Sequence, residues 1–231
     1  MHRPARSVAL VFVAVLAMAV LCVGFARPAE AVSTTIVISQ FQVAGGPAAD
    51  EFVELHNVGT SPVDINGYQL VYRSATGTTD VVLVTWSAST VIPAGGYYLV
   101  GATPGYDGGG ANITYGDGGS GRLAAAGGGL ALRSSSGGPI VDSVGFGTAT
   151  NAFVEGTVTP APAANNSASR KTNGCQDTDS NSNDFQSTVP SAPRNASTAP
   201  VSCVAADAAP SVSSTTPTNG ATGVALNADL S

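Results

Sequence analysis

Asp50-Glu51-Phe52-Val53-Glu54-Leu55-His56-Asn57 is the stretch whose reading decides the fold. Side chains alternate across a strand, so Val53 and Leu55 face one way while Phe52, Glu54 and His56 face the other. Upstream, Thr35–Val43 sets Ile36, Ile38 and Phe41 among polar neighbours and stops at Gly45-Gly46-Pro47. Downstream, Asn57 to Pro62 is turn chemistry, and the turn dipeptide Asn66-Gly67 leads into Tyr68–Arg73. Val81–Trp86 is the next strand, and Ile92-Pro93-Ala94-Gly95-Gly96 turns into Tyr97–Val100. Leu123, Leu130 and Leu132 resume the sheet, Ser134–Pro139 makes a hairpin loop, and Ile140–Phe146 returns. No window after Val32 carries a helical period. Short β-branched or aromatic runs at this spacing, punctuated by Gly, Asn, Ser and Pro, predict an all-β sandwich of seven or eight strands.

Composition agrees. Only 10% of the 231 residues are charged, and Gly 28 with Pro 14 is rich for a globular chain. A coiled coil or helical bundle is excluded, and 43% hydrophobic residues exclude a wholly disordered chain. Arg3 and Arg6 precede an apolar run from Val8 to Ala26, followed by Arg27-Pro28 and the small-residue site Ala29-Glu30-Ala31. That is the three-part pattern of a secretory signal, with cleavage expected before Val32. The run is also long enough to span a bilayer, but the helix-breaking Arg-Pro and the A-x-A site argue for cleavage.

Cleavage would leave six basic against fourteen acidic residues, one histidine (His56) and two cysteines, Cys175 and Cys203. An even cysteine count outside the cytoplasm favours a Cys175–Cys203 disulfide. The expected organisation is a signal peptide at 1–31, a sandwich at 32–193, an Ala/Ser/Pro-rich linker at 194–210 and the start of a second domain at 211–231. Gly105–Gly121 is expected to be a long surface loop, and 156–166 an extended stretch.

Asp50 to Asn57, Ser61-Pro62-Val63-Asp64-Ile65-Asn66-Gly67-Tyr68, Ile92 to Gly101, Ile140 to Gly147 and Asp177 to Phe185 together resemble the lamin-tail domain, in the family's order, over about 34 to 193. The resemblance implies an Ig-like β-sandwich, found in nuclear lamins and widely in secreted bacterial proteins. Tyr68 stands where that family usually carries Trp, a change of packing within the same fold. Ala209 to Val224 looks like the opening of a bacterial Ig-like module of the surface-layer type, which implies a longer multidomain protein. The family also implies an accessory role, sometimes beside a secreted nuclease or phosphoesterase domain.

Catalytic chemistry finds little here. A Ser-His-Asp triad would have to use His56, which lies in a strand, and no G-x-S-x-G elbow exists. Glu54 and His56 share a face, yet zinc needs at least a third ligand. Asp50, Glu51 and Glu54 are expected to cap a turn and solvate a strand edge. The run Asp177-Thr178-Asp179-Ser180-Asn181-Ser182-Asn183-Asp184 spaces oxygen ligands as the first half of a calcium loop does, making Asp177, Asp179, Asn181 and Asp184 the candidate metal ligands and calcium the one candidate cofactor. Ser182 in place of the turn glycine and Thr188 in place of the bidentate Glu depart from that motif, and Asx-turns beside Cys175 are the alternative.

Nucleic acid demands a basic stripe, and the acidic chain offers only Arg170-Lys171 as an adjacent basic pair, so no direct nucleic-acid binding is expected. The glycine loop is followed by neither Lys nor a helix and is no phosphate cradle. Tyr68, Tyr72, Trp86, Tyr97 and Tyr98 could line a carbohydrate platform or pack as core and cross-strand pairs. The expected function is a secreted, non-enzymatic module for interaction, spacing or surface display, with an unidentified protein or a cell-surface glycan as partner and membrane contact only during export. The alternatives are an accessory part of a secreted nuclease or phosphoesterase, and an adhesin-like carbohydrate binder.

Overall fold

The computed structural model describes residues 32–116, 122–203 and Thr222. The expected signal segment, the loop tip at 117–121, the later half of the linker and, Thr222 apart, the second module lie outside the described residues. The chain forms β1 (Ile36–Gln42), β2 (Phe52–Asn57), β3 (Val63–Asp64), β4 (Gln69–Ser74), β5 (Val81–Thr85) and β6 (Val91–Ile92). It continues through β7 (Tyr97–Thr103), β8 (Ile113–Gly116), β9 (Gly127–Arg133), β10 (Ile140–Gly147) and β11 (Ser167–Arg170). One-turn segments α1 (Lys171–Gly174) and α2 (Asn181–Asp184) precede β12 (Phe185–Thr188). Thr172 and Asn173 of α1 sit at φ 53° and 58°, in the left-handed region.

Two sheets face each other. One runs β12-β11-β1-β2-β7-β8 and the other β10-β9-β4-β5, while β3 and β6 pair at one end. All pairings between neighbouring strands are antiparallel except β7 with β8. This is the expected all-β sandwich, and the strands read from sequence up to Phe146 are present, except that Leu123 lies before β9 and outside the sheet. The sequence pattern predicts no strand over 167–188 and only a loop over 105–121, yet β8 within the latter pairs with β7 at the sheet edge. Over 167–188, β11 and β12 complete the larger sheet, their Ser- and Gln-rich runs giving no hydrophobic alternation to read.

Ile36, Ile38 and Phe41 are all fully buried, although their spacing breaks the strand period. The cause is a β-bulge between Ile38 and Gln40, which shifts the phase by one and returns Phe41 to the inner face. Phe41 then meets Phe146 of the opposite sheet at 5.0 Å between ring centroids. Val53, Leu55 and Val100 complete this side of the core against Leu70, Leu130, Leu132 and Val144. Each such side chain contributes about 1.5–3 kcal/mol on burial.

Candidate functional site

The unusual chemistry lies on the other face of β2. Glu54 and His56 point away from the core, as the alternation requires, yet both are completely buried. What covers them is α1 and the chain from Arg194 to Cys203, which crosses the outside of the sheet as a strap. Composition assigns 194–203 to a linker, but backbone and side-chain bonds fasten it. Val201 N–H donates to Gly95 O at 2.8 Å. Gly95 itself sits at φ +70°, and a Cβ there would come within 2.7 Å of Val201 O, so only glycine allows this approach.

A buried carboxylate must be paired. The Glu54 carboxylate accepts from Ser39 Oγ and from Arg194, whose Nη2 lies 2.7 Å away. Arg194 also lies 4.0 Å over the Tyr97 ring and donates to its hydroxyl at 2.8 Å. Tyr97 in turn stacks on the His56 ring, 4.3 Å between centroids. His56 Nε2 is 3.2 Å from both Gly95 O and Val201 O, while Nδ1 is 3.4 Å from Gly174 O and 3.9 Å from Cys203 Sγ. Burial pushes the imidazole below its ordinary pKa, against the pull of the Gly174 and Val201 carbonyls. Cys175 and Cys203 are joined in the expected disulfide, which closes the strap onto α1.

A second polar cluster plugs the space between the sheets. Arg170 shares the inward face of β11 with Ala168 and is 2% exposed. Its Nη2 bonds both oxygens of Asp142 on β10, and its Nη1 reaches Asp177 and Asp184 at 3.0 and 3.6 Å. β11 ends before it can pair with Ile38, so that residue's backbone needs other partners. Asp142 takes the Ile38 N–H at 2.6 Å and Arg170 Nε donates to its carbonyl at 3.1 Å. Glu155 adjoins this cluster, accepting from Ser143 N, Ser143 Oγ and Asn181 Nδ2. Burial pushes Asp142 up to about 7 despite Arg170. Burial first and then the Asp142 charge push Glu155 up to about 8.

These contacts locate the candidate calcium ligands. Asp177 bonds Ser33 N–H and Arg170, and Asp184 accepts from Thr178 N–H and its hydroxyl. Asn181 turns inward, its Oδ1 accepting from the N–H groups of Gly145 and Glu155. The run is therefore organised around Arg170 and the sheet: Asp177 and Asp184 share its Nη1, and backbone N–H groups occupy Asn181 Oδ1. Among the described residues, acidic oxygens do come together at Asp142, Glu155 and Asp177, where the guanidinium already supplies the positive charge.

Asp50, Glu51 and Glu54 do not solvate an edge. All three are buried, a correction whose reason is local hydrogen bonding. Glu51 accepts from the N–H groups of Arg122 and Leu123 and from Tyr115 OH, tying the glycine-rich loop to β2. Asp50 accepts from Gln42, and burial raises its pKa. Of the aromatics, Tyr72, Trp86 and Tyr97 are buried, with Tyr68 and Tyr98 packed against the core, so the five form no surface platform.

Sequence reading missed Arg170, Asp142, Glu155 and Arg194. The one available signal was parity, since a strand over 167–170 puts Arg170 on the same face as Ala168. Ser39 Oγ on Glu54 and Ser143 Oγ on Glu155, hydroxyls beside carboxylates in these clusters, are fully buried and donate to them. Their geometry holds chain segments together.

The family model described as Lamin Tail Domain matches residues 29–148. No curated protein matches the chain.

Proposed function

The chain belongs to the lamin tail domain family, a family of non-catalytic β-sandwich domains, and on that premise we propose that it is an exported module that docks or spaces neighbouring chains of a larger extracellular assembly. The observation that carries the proposal is β5. It is the outer strand of the smaller sheet, and its sequence Val81-Val82-Leu83-Val84-Thr85 holds neither charge nor proline. Natural edge strands are usually blunted by such residues, because an open row of N–H and C=O groups invites another strand. Val81 and Val82 are 39% and 49% exposed. An extended segment of a neighbour can add to this edge by main-chain bonds, with the valines supplying apolar contact.

The expectation of no direct nucleic-acid binding belongs to the same reading. Among the described residues Arg73 and Arg133 are held by Asp80, Arg170 and Arg194 by buried acids, Lys171 by Asn183 O and the exposed Arg122 by Gly116 O, so phosphate contact would compete with existing bonds. A glycan ligand is the second reading. An open cleft of about 490 Å³ lined by Asp50, Tyr106, Asp107, Asn165 and Asn195 favours it over the buried tyrosines, and its two carboxylates select a neutral sugar.

The test uses fluorescently labelled protein on the cells that make it, with N-terminal sequencing of the species released to the medium. Saturable binding that Val82→Lys weakens at least about fivefold supports edge docking. Binding that survives Val82→Lys but is displaced by free neutral sugar moves the function to the cleft. No binding, or a protein retained inside the cell, overturns the proposal.

A further inference from the structure

We propose that the Cys175–Cys203 bond and His56 make up a redox-gated metal site: once the disulfide is reduced, the two sulfurs and His56 Nδ1 bind a thiophilic closed-shell cation such as Zn²⁺, which then clamps the strap in place of the disulfide. The three atoms already lie within 4.8 Å of one another. In a tetrahedral site with Zn–S of about 2.3 Å and Zn–N of about 2.0–2.1 Å, sulfur and nitrogen stand about 3.5 Å apart and the two sulfurs about 3.8 Å. Cys203 Sγ is 3.9 Å from Nδ1 now. The sulfurs must separate, and the 5.3 Å between the two Cα atoms leaves that to side-chain rotation.

Hydrogen bonding presents the right nitrogen. Two carbonyls at 3.2 Å flank Nε2 and one at 3.4 Å flanks Nδ1, so the tautomer with its proton on Nε2 satisfies the two shorter contacts. Nδ1 then has Gly174 O at 3.4 Å and Cys203 Sγ at 3.9 Å beside it, and a metal held by the sulfurs takes its lone pair in place of the carbonyl contact. Donation from Nε2–H to backbone carbonyls is also the arrangement that orients metal-bound histidines and raises their basicity. Burial already favours the neutral ring that a metal requires. Both cysteines are only half-buried, which leaves a fourth position for water.

The redox balance is simple. A dithiol reductant passes two electrons to the Cys175–Cys203 bond and itself becomes a disulfide, giving two cysteine thiols. Metal binding releases both thiol protons, so two thiolates neutralise the dication. In oxidising surroundings the strap is closed covalently, and in reducing ones by metal. This inference does not depend on export or on edge docking.

The experiment titrates the full chain, reduced and freed of reductant under argon, with Zn²⁺ against a chromophoric chelator and with Co²⁺ by absorbance. The expected result is one Zn²⁺ per chain, with Co²⁺ giving thiolate charge-transfer bands in the near ultraviolet. Cys203→Ser should weaken Zn²⁺ binding at least about 100-fold. Zn²⁺ should also restore to the reduced protein the protease resistance of residues 194–203 that reduction removes. Cys203→Ser matches the reduced apoprotein in lacking the disulfide, so a fold defect common to both is controlled. Absence of stoichiometric binding, equal affinity in Cys203→Ser, or equal affinity in the oxidised protein would each overturn the proposal.

Discussion

The two faces of β2 are equally buried and differently built. Val53 and Leu55 enter an apolar core in which one hydrocarbon can stand in for another of similar size. Glu54 and His56 enter a polar layer of hydrogen-bonded groups, with Ser39 and Gly95 as partners in the sheet and residues 174, 194 and 201 as partners from the covering chain. The inner face therefore tolerates a change of shape better than the outer face tolerates a change of charge. Burial alone does not rank their sensitivity. What ranks them is whether removing a group leaves a void or leaves an unpaired charge.

Arg170 is where that difference should be largest. Arg170→Met keeps much of the volume but leaves Asp142, Asp177 and Asp184 without their cation. Removing one partner of a buried ion pair costs about 3–5 kcal/mol, measurable as a lower urea midpoint. Leu55→Ala, on the inner face, should cost about 2–5 kcal/mol through the cavity it opens. If Arg170→Met were milder than Leu55→Ala, the polar cluster would be an ornament of the fold and the contrast would fail. Breaking the disulfide comes next. With the cysteines 28 positions apart in sequence, its loss should cost about 3–4 kcal/mol in the chain-entropy model, read by denaturation in metal-free buffer.

The pH dependence sharpens the same contrast. Asp142 rises from 3.8 to about 7 and Glu155 from 4.5 to about 8, so the folded chain keeps protons that the unfolded chain releases. Their contribution is fully present below about pH 4 and is lost as pH rises through 7 to 8. The three donors on Glu155 favour its charged form, but burial and the neighbouring Asp142 outweigh them. The urea midpoint should fall between pH 5 and 9 (a range chosen to bracket about pH 7–8), and Glu155→Gln should flatten that fall. A midpoint that instead climbs across this range would show the cluster fully ionised.

The inner layer was legible because alternation and turn residues are local. Val53, Leu55, Ile36 and Ile38 declare themselves by period, and only the extra residue at Ser39 hid why Phe41 follows at the wrong step. The outer layer was not legible because its pairs are far apart in sequence. Glu54 and Arg194 are separated by 140 residues, and no spacing rule links them. The acids at 50, 51 and 54 looked solvated for the same reason: an acid's burial depends on a partner that local sequence does not name. The disulfide was the exception, since Cys175 and Cys203, the two cysteines beyond residue 31, admit one intramolecular pairing.

Asp80 shows how far the sensitivity of charged groups depends on depth. Like the Arg170 cluster it joins separate strands, taking Arg73 Nε at 2.6 Å and Arg133 Nε at 2.7 Å. The stoichiometry is reversed, with two guanidiniums on one carboxylate, and both cations also lie over the Phe153 ring. Burial opposes ionisation here too, yet the two arginines hold the Asp80 carboxyl below its usual pKa. Its side chain remains 22% exposed, so water replaces much of what a substitution removes. Asp80→Asn should therefore cost no more than about 1 kcal/mol, and high salt should shrink that difference further. A cost approaching that of Arg170→Met would mean that connection between strands, rather than depth, sets the sensitivity of a charged group in this sandwich.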